Sequence, residues 1–337
     1  MNRETEYRYP PMRLLILACM AAALPSAPCD APDTAIERVA ALRLAGELSD
    51  ALALAERALA CDDLTADTDV ELWVEAARIH DRFGLHRNTR PVAAALDAID
   101  AAAAVAGAGP VSRALVELAY ADYHYRAGIP EGEFARSRRH GEAAVRLYEQ
   151  AGDLHGQADA VHKLGLMAMQ EGDLAAARRL FDRSLELDRA GGARPWFCGE
   201  YERHVAMVDD RAGDLAAALP RYRRSLACRL EAGAIDASLF AAVSLGSALV
   251  RAGRPAAAAA PLAYAAELAD RLDSTVGGMY ADLALGRLHE ALGELAAARA
   301  AFARALETAE AVGSGSAASA RAALERLSAA PEATDRD

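Results

Sequence analysis

The stretch "HKLGLMAMQEGDLAAARRLFDRSLELD", residues His162–Asp188, is built from helix formers yet carries Gly172 near its middle. Glycine inside a helix is less favourable than alanine by about 1 kcal/mol, so its place needs a reason. Its surroundings recur. Gly213, Gly253 and Gly293 follow Gly172 at near-constant intervals of about 40 residues. Each is followed by a polar residue (Asp173, Asp214, Arg254, Glu294), and five residues after each glycine come Ala177, Ala218, Ala258 and Ala298. Nine residues after each glycine stands a bulky side chain: Phe181, Tyr222, Leu262 and Phe302. Twelve after stands a small one (Ser184, Ser225, Ala265, Ala305), and seven before stand Gly165, Ala206, Gly246 and Gly286.

This is the pattern of a helical hairpin. A first helix ends at the glycine, which adopts a left-handed cap conformation without steric penalty. A second helix starts directly afterwards. The small residues let the two helices cross closely, and the bulky one fills the groove. One hairpin cannot bury such a face alone, so hairpins stack.

The pattern resembles the tetratricopeptide repeat, whose signature W-x2-L-G-x2-Y…A-x3-F…P spans about 34 residues. "LGLMAMQEGDLAAARRLF" (Leu164–Phe181) and "LGRLHEALGELAAARAAF" (Leu285–Phe302) carry the resemblance. The period here is longer, at about 40 residues, and Arg189, Leu230, Asp270 and Glu310 occupy the slot of the terminal proline. The resemblance to extended members of the family implies longer second helices. Weaker copies lie upstream, with turns expected at Gly46, Gly84 and Gly128; Trp73 falls on the signature tryptophan. The expectation is an all-α, right-handed superhelix of about seven hairpins over residues 30–330. "GSGS" (Gly313–Ser316) then breaks the chain, a capping helix follows at Ala317–Leu327, and residues 331–337 form a tail.

Composition agrees. Aromatic residues are 5% of the chain, and alanine supplies much of its apolar content. The formal charge is −12, from 37 basic and 49 acidic residues, which disfavours nucleic acid and anionic membrane as partners. At the N-terminus, "MRLLILACMAAALPSAPC" has a basic flank at Arg13, an apolar core from Leu14 to Leu24, and then Pro25 with small residues. That is the layout of a secretory signal over residues 1–27, with Met12 an alternative start. Its core is too short to span a bilayer, which takes roughly 20 residues. A periplasmic or secreted location is expected, with membrane contact through the signal alone; a lipoprotein and a retained helix are the alternatives.

Four cysteines beyond the signal form two pairs about the turns. Cys198 and Cys228 lie equally far on either side of Gly213, and Cys29 and Cys61 flank Gly46 almost as evenly. Residues equidistant from a hairpin turn sit side by side, so both pairs are candidate disulfides in an oxidising compartment; small buried thiols are the alternative.

No GxSxG, HExxH, CxxC or phosphate loop is present, so no enzyme, cofactor or metal site is expected. His80, His124 and His289 fall at a packing slot four residues before a turn, and His140 and His155 are expected to face solvent. "RPWFCGEYERH" (Arg194–His204) reads either as a packed helix start or as a binding hot spot around Trp196, Phe197 and Tyr201. On each first helix, positions 13, 10, 9, 6, 3 and 2 before the turn face away from the packing stripe and should line the concave wall. They include Glu71, Glu75, Arg78 and Arg82 in hairpin two; His162, Lys163 and Gln170 in hairpin four; and Glu200, Arg203, His204 and Arg211 in hairpin five. Phe240, Ser247 and Arg251 follow in hairpin six, and Tyr280 and Arg287 in hairpin seven. Mixed arginine, acid, histidine and apolar groups suit a peptide or protein partner, the alternative being a solvated wall closed by its own salt bridges. The family's carboxylate clamp of Lys and Asn is missing. The expectation is a non-enzymatic scaffold, with a ligand- or peptide-sensing regulatory module as the second reading. The latter resembles the extracytoplasmic repeat half of bacterial signalling proteins.

Overall fold

The computed structural model describes residues 32–87, 93–127 and 133–329. The signal expected at 1–27, Cys29, the turn expected at Gly128 and the tail at 331–337 lie outside the described residues. Among those residues are fifteen helices and no strand.

The helices pair in order: α1 (Pro32–Ala45) with α2 (Leu48–Leu59), α3 (Ala66–Arg87) with α4 (Ala93–Ala104), and α5 (Pro110–Ala127) with α6 (Glu133–Ala151). The next pairs are α7 (Leu154–Gln170) with α8 (Leu174–Ala190), α9 (Pro195–Arg211) with α10 (Leu215–Glu231), and α11 (Ile235–Arg251) with α12 (Pro255–Arg271). The seventh hairpin is α13 (Thr275–Leu292) with α14 (Leu295–Ala311), and α15 (Ser316–Ala329) caps it. Each second helix also packs on the next first helix, so the seven hairpins form one stacked solenoid.

The turn after α7 shows how the sequence ends one helix and starts another. Gly172 takes φ 84°, and the Asp173 amide reaches back to the Ala168 carbonyl at 3.0 Å. The Asp173 carboxylate then accepts from the Ala176 amide at 2.8 Å, capping α8. Asp153 and Asp214 cap α7 and α10 in the same way.

Turns of this kind also join one hairpin to the next. Gly152, Gly192, Gly233 and Gly313 all have positive φ, and Asp273 fills the equivalent place at φ 47°. The underlying spacing is therefore half the period read from the sequence. First and second helices of hairpins four to six are all 17 residues long. The extra length over the usual family repeat is thus shared by both helices, and the expectation of a longer second helix is corrected. A second correction concerns Gly84, which lies inside the 22-residue helix α3 and makes no turn.

Within each hairpin the small and bulky positions interlock. A methyl group placed on Gly165 would sit 2.7 Å from the Phe181 ring, and on Gly286 2.6 Å from Phe302. Ala177, Ala218, Ala258 and Ala298 are completely buried, as are Phe181 and Leu262. Cys198 near the start of α9 is bonded to Cys228 near the end of α10, with Cα atoms 5.9 Å apart. Cys61 is also disulfide-bonded; the pairing expected with Cys29 falls outside the described residues.

The solenoid coils far enough to touch itself. Helices α1 and α3 contact α11 and α13 respectively. Gly46 meets Leu272 so closely that an added methyl would overlap the Leu272 side chain. Among the described residues, no helix is long and apolar enough to cross a membrane.

Candidate functional site: the charged inner face

The first helices of the hairpins face inward, and the solenoid's self-contact bridges one part of the wall that the sequence reading pictured as an open groove. Arg82 of α3 reaches Asp236 at the start of α11, 3.2 Å away across the inside. Next to it, Glu75 is clamped between Arg43 of α1 at 2.7 Å and Arg78 at 2.5 Å. Burial alone would raise the Glu75 pKa, but the two guanidinium groups prevail and hold it at about 2. Arg126 pairs with Asp81 at 2.6 Å, and Lys163 pairs with Asp122 while lying over the Tyr125 ring.

The middle of the wall is a buried polar relay. Arg203 Nη1 lies 3.3 Å from His204 Nε2, and His204 Nδ1 lies 2.8 Å from His162 Nε2. His162 Nδ1 lies 3.4 Å from Ser184 Oγ, whose hydroxyl donates to the Phe181 carbonyl at 2.7 Å. Guanidinium can only donate, so these partners assign the tautomers. Arg203 donates to His204, His204 donates from Nδ1 to His162, and His162 donates from Nδ1 to Ser184. Both rings are then neutral. Burial lowers the His162 pKa to about 4 and that of His204 well below its ordinary value. Glu200 completes the group: burial works against its charge, yet the guanidinium groups of Arg229, at 3.0 Å, and of nearby Arg203 hold its pKa low.

His162, Glu200 and His204 bring three ligand atoms within 4.8 Å of one another, a set the sequence reading did not anticipate as a metal site. The relay argues against a metal role. With Arg203 on His204 Nε2, the His204 proton must sit on Nδ1, the atom a metal would need. Arg229 meanwhile already occupies one oxygen of Glu200.

The remaining inward residues are more open. Arg211 donates to the Met169 carbonyl at 2.8 Å, Gln170 to Tyr125 Oη at 3.2 Å, and Arg251 pairs with Asp210. Arg287 donates to Ser319 of the capping helix at 3.2 Å. Phe240 packs half-buried on the core beside Val243, Tyr280 flanks the core of the last hairpin, and Ser247 and Glu71 are half-buried. Several participants are absent from the sequence expectation. Arg43, Asp122 and Arg126 occupy the same inward positions ahead of Gly46 or Gly128, so the positional rule applied to hairpins one and three finds them. Arg229 and Asp236 escape that rule, since Arg229 is on a second helix and Asp236 is near a helix start.

Two other clusters resolve as packing. Arg194 stacks over Trp196 and Phe197 while pairing with Asp159 at 2.7 Å and Asp188 at 2.6 Å, which locks the start of α9. His140, expected to face solvent, instead stacks on Tyr120 and His124 and meets Glu117 at 2.7 Å.

The tetratricopeptide repeat family is matched at residues 158–190 and 283–311, the same stretches that carry the interlocking glycines. No curated protein matches the chain by sequence. Among solved structures, a Rap protein complexed with Competence and Sporulation Factor is similar at 13% identity and TM-score 0.54, covering 88% of this chain and 97% of that one. A signal transduction ATPase with numerous domains from Pyrococcus horikoshii, which carries a tetratricopeptide repeat sensor, is similar at 13% identity and TM-score 0.54. It covers 88% of this chain and 47% of that longer one. At such identities the likeness is one of fold. Repeat matches, hairpin geometry and superhelix agree: the chain carries tetratricopeptide repeats at residues 158–190 and 283–311, within a solenoid of tetratricopeptide-like fold.

Proposed function

We propose that this protein is an exported, non-enzymatic scaffold that binds a peptide or protein segment along its inner face. The observation that carries the reading is convergence. Charged and polar side chains from α3, α7, α9, α11 and α13 meet on one partly solvated wall, while the opposite faces of these helices supply the apolar core. Arginine and aromatic side chains of that kind are favoured anchors for a partner. The Rap structure, solved with its factor bound, is a precedent of similar fold for a bound partner. Export is supported by the signal-like N-terminus and by the Cys198–Cys228 disulfide, which suits an oxidising compartment.

Immobilised protein exposed to periplasmic extract should retain a partner that is released by Arg203→Ala. Failure of any partner to bind, or binding indifferent to inner-face substitutions, contradicts the proposal. The tetratricopeptide repeat sensor of the Pyrococcus protein favours a second reading, a ligand-responsive regulatory module. Thermal stabilisation by a small metabolite, with no protein retained, would select that second reading.

A further inference from the structure

The inner wall carries cations that no carboxylate holds. Most of the inward cations named above are held by a carboxylate. Arg203, Arg211 and Arg287 are not: among the described residues none of the three has a carboxylate oxygen within ion-pair distance. Their partners are neutral acceptors, namely the Ser244 hydroxyl and His204 ring for Arg203, the Met169 carbonyl for Arg211, and the Ser319 hydroxyl for Arg287. A guanidinium is always charged and its planar fork matches a carboxylate, so a neutral acceptor leaves much of its binding capacity unused.

Two further features point to an anionic occupant. Around Arg287, burial and then the neighbouring Arg251 and Arg326 cations lower its pKa, and the nearby Glu290 only partly offsets them. And these three cations sit in a chain whose net charge is −12, so their lack of carboxylate partners is a local feature set against the overall composition.

Resting on the reading that the inner face is the binding surface, we propose that it recognises the side-chain carboxylates of an acidic peptide segment, with Arg203, Arg211 and Arg287 as its anchors. Arg203 and Arg211 lie eight residues apart on α9, about 12 Å at the helical rise. An extended strand of alternating acidic residues places carboxylates on one face about 7 Å apart, so every second one falls near that spacing.

Fluorescein-labelled octaglutamate, octaglutamine and octalysine, titrated into the full chain and followed by anisotropy, test this. Octaglutamate should bind at least tenfold more tightly than the other two. Arg211→Gln and Arg287→Gln, both at exposed positions, should each weaken it by about tenfold while leaving the melting temperature and any octaglutamine binding unchanged. Equal binding of octaglutamine, or octaglutamate affinity unchanged in both variants, overturns the carboxylate assignment; if inner-face variants still release the partner retained from extract, the groove reading survives that loss. Absence of binding by all three peptides also overturns it, and if nothing is retained from extract either, the groove reading falls with it.

Discussion

The seam inside each hairpin and the wall inside the superhelix are made by opposite rules. The seam is apolar, local and periodic: Gly165 under Phe181 and Gly286 under Phe302 repeat one contact at one fixed sequence spacing. The wall is charged and irregular. Its contacts join Arg82 to Asp236, nearly half the chain away, and Arg43 of the first hairpin to Glu75 of the second. The seam specifies a fold that repetition can propagate, whereas the wall, with no repeat to maintain, is free to be shaped for a partner.

Breaking the seam should have the largest effect. Phe181→Ala removes a fully buried ring from a site that Gly165 cannot refill, and should destabilise the protein by about 3–5 kcal/mol in urea denaturation. Reducing the Cys198–Cys228 bond, or replacing both cysteines with serine, should cost about 2–4 kcal/mol. The loss should appear as earlier unfolding of α9 and α10 in hydrogen exchange.

Acid comes next, and acts on the wall. His162 titrates at about 4 when folded against 6.5 in an unperturbed chain, so in that window the unfolded state binds more protons. Stability is then fully present above pH 6.5 and is lost as the pH falls toward 4, by about 3 kcal/mol. Parallel denaturation curves at pH 7 and 4.5 check this, and His162→Gln should flatten the difference. Asp236→Asn strips Arg82 of its cross-coil partner. Because Arg82 keeps 27% of its side-chain exposure, the effect should be about 1–2 kcal/mol, with faster amide exchange in α1 and α3.

Much of the fold is legible because its determinants are local. A glycine that ends a helix, an aspartate that caps the next and a small residue facing a large one all lie within one repeat. Even so, the half-period is hidden, because one of the intervening turns uses Asp273 in place of glycine. Gly84 misleads for the converse reason: it matches the spacing, but α3 continues through it. The inward positions can be placed by helical periodicity. Their partners cannot, since the pairing of Arg82 with Asp236 depends on how far the superhelix coils, a sum of small rotations between hairpins that no single repeat encodes. The His162–His204 relay is hidden similarly, as its two rings stand on successive first helices, one whole hairpin apart.

The double variant Arg211→Gln/Arg287→Gln, both positions exposed, sets the two regions most directly against each other. If the seam folds the chain and the wall's unpaired cations serve a partner, this protein should unfold within about 0.5 kcal/mol of the parent, the usual range for surface changes, yet lose the partner retained from periplasmic extract. A protein that unfolds several kcal/mol earlier, or that retains its partner undiminished, contradicts the account.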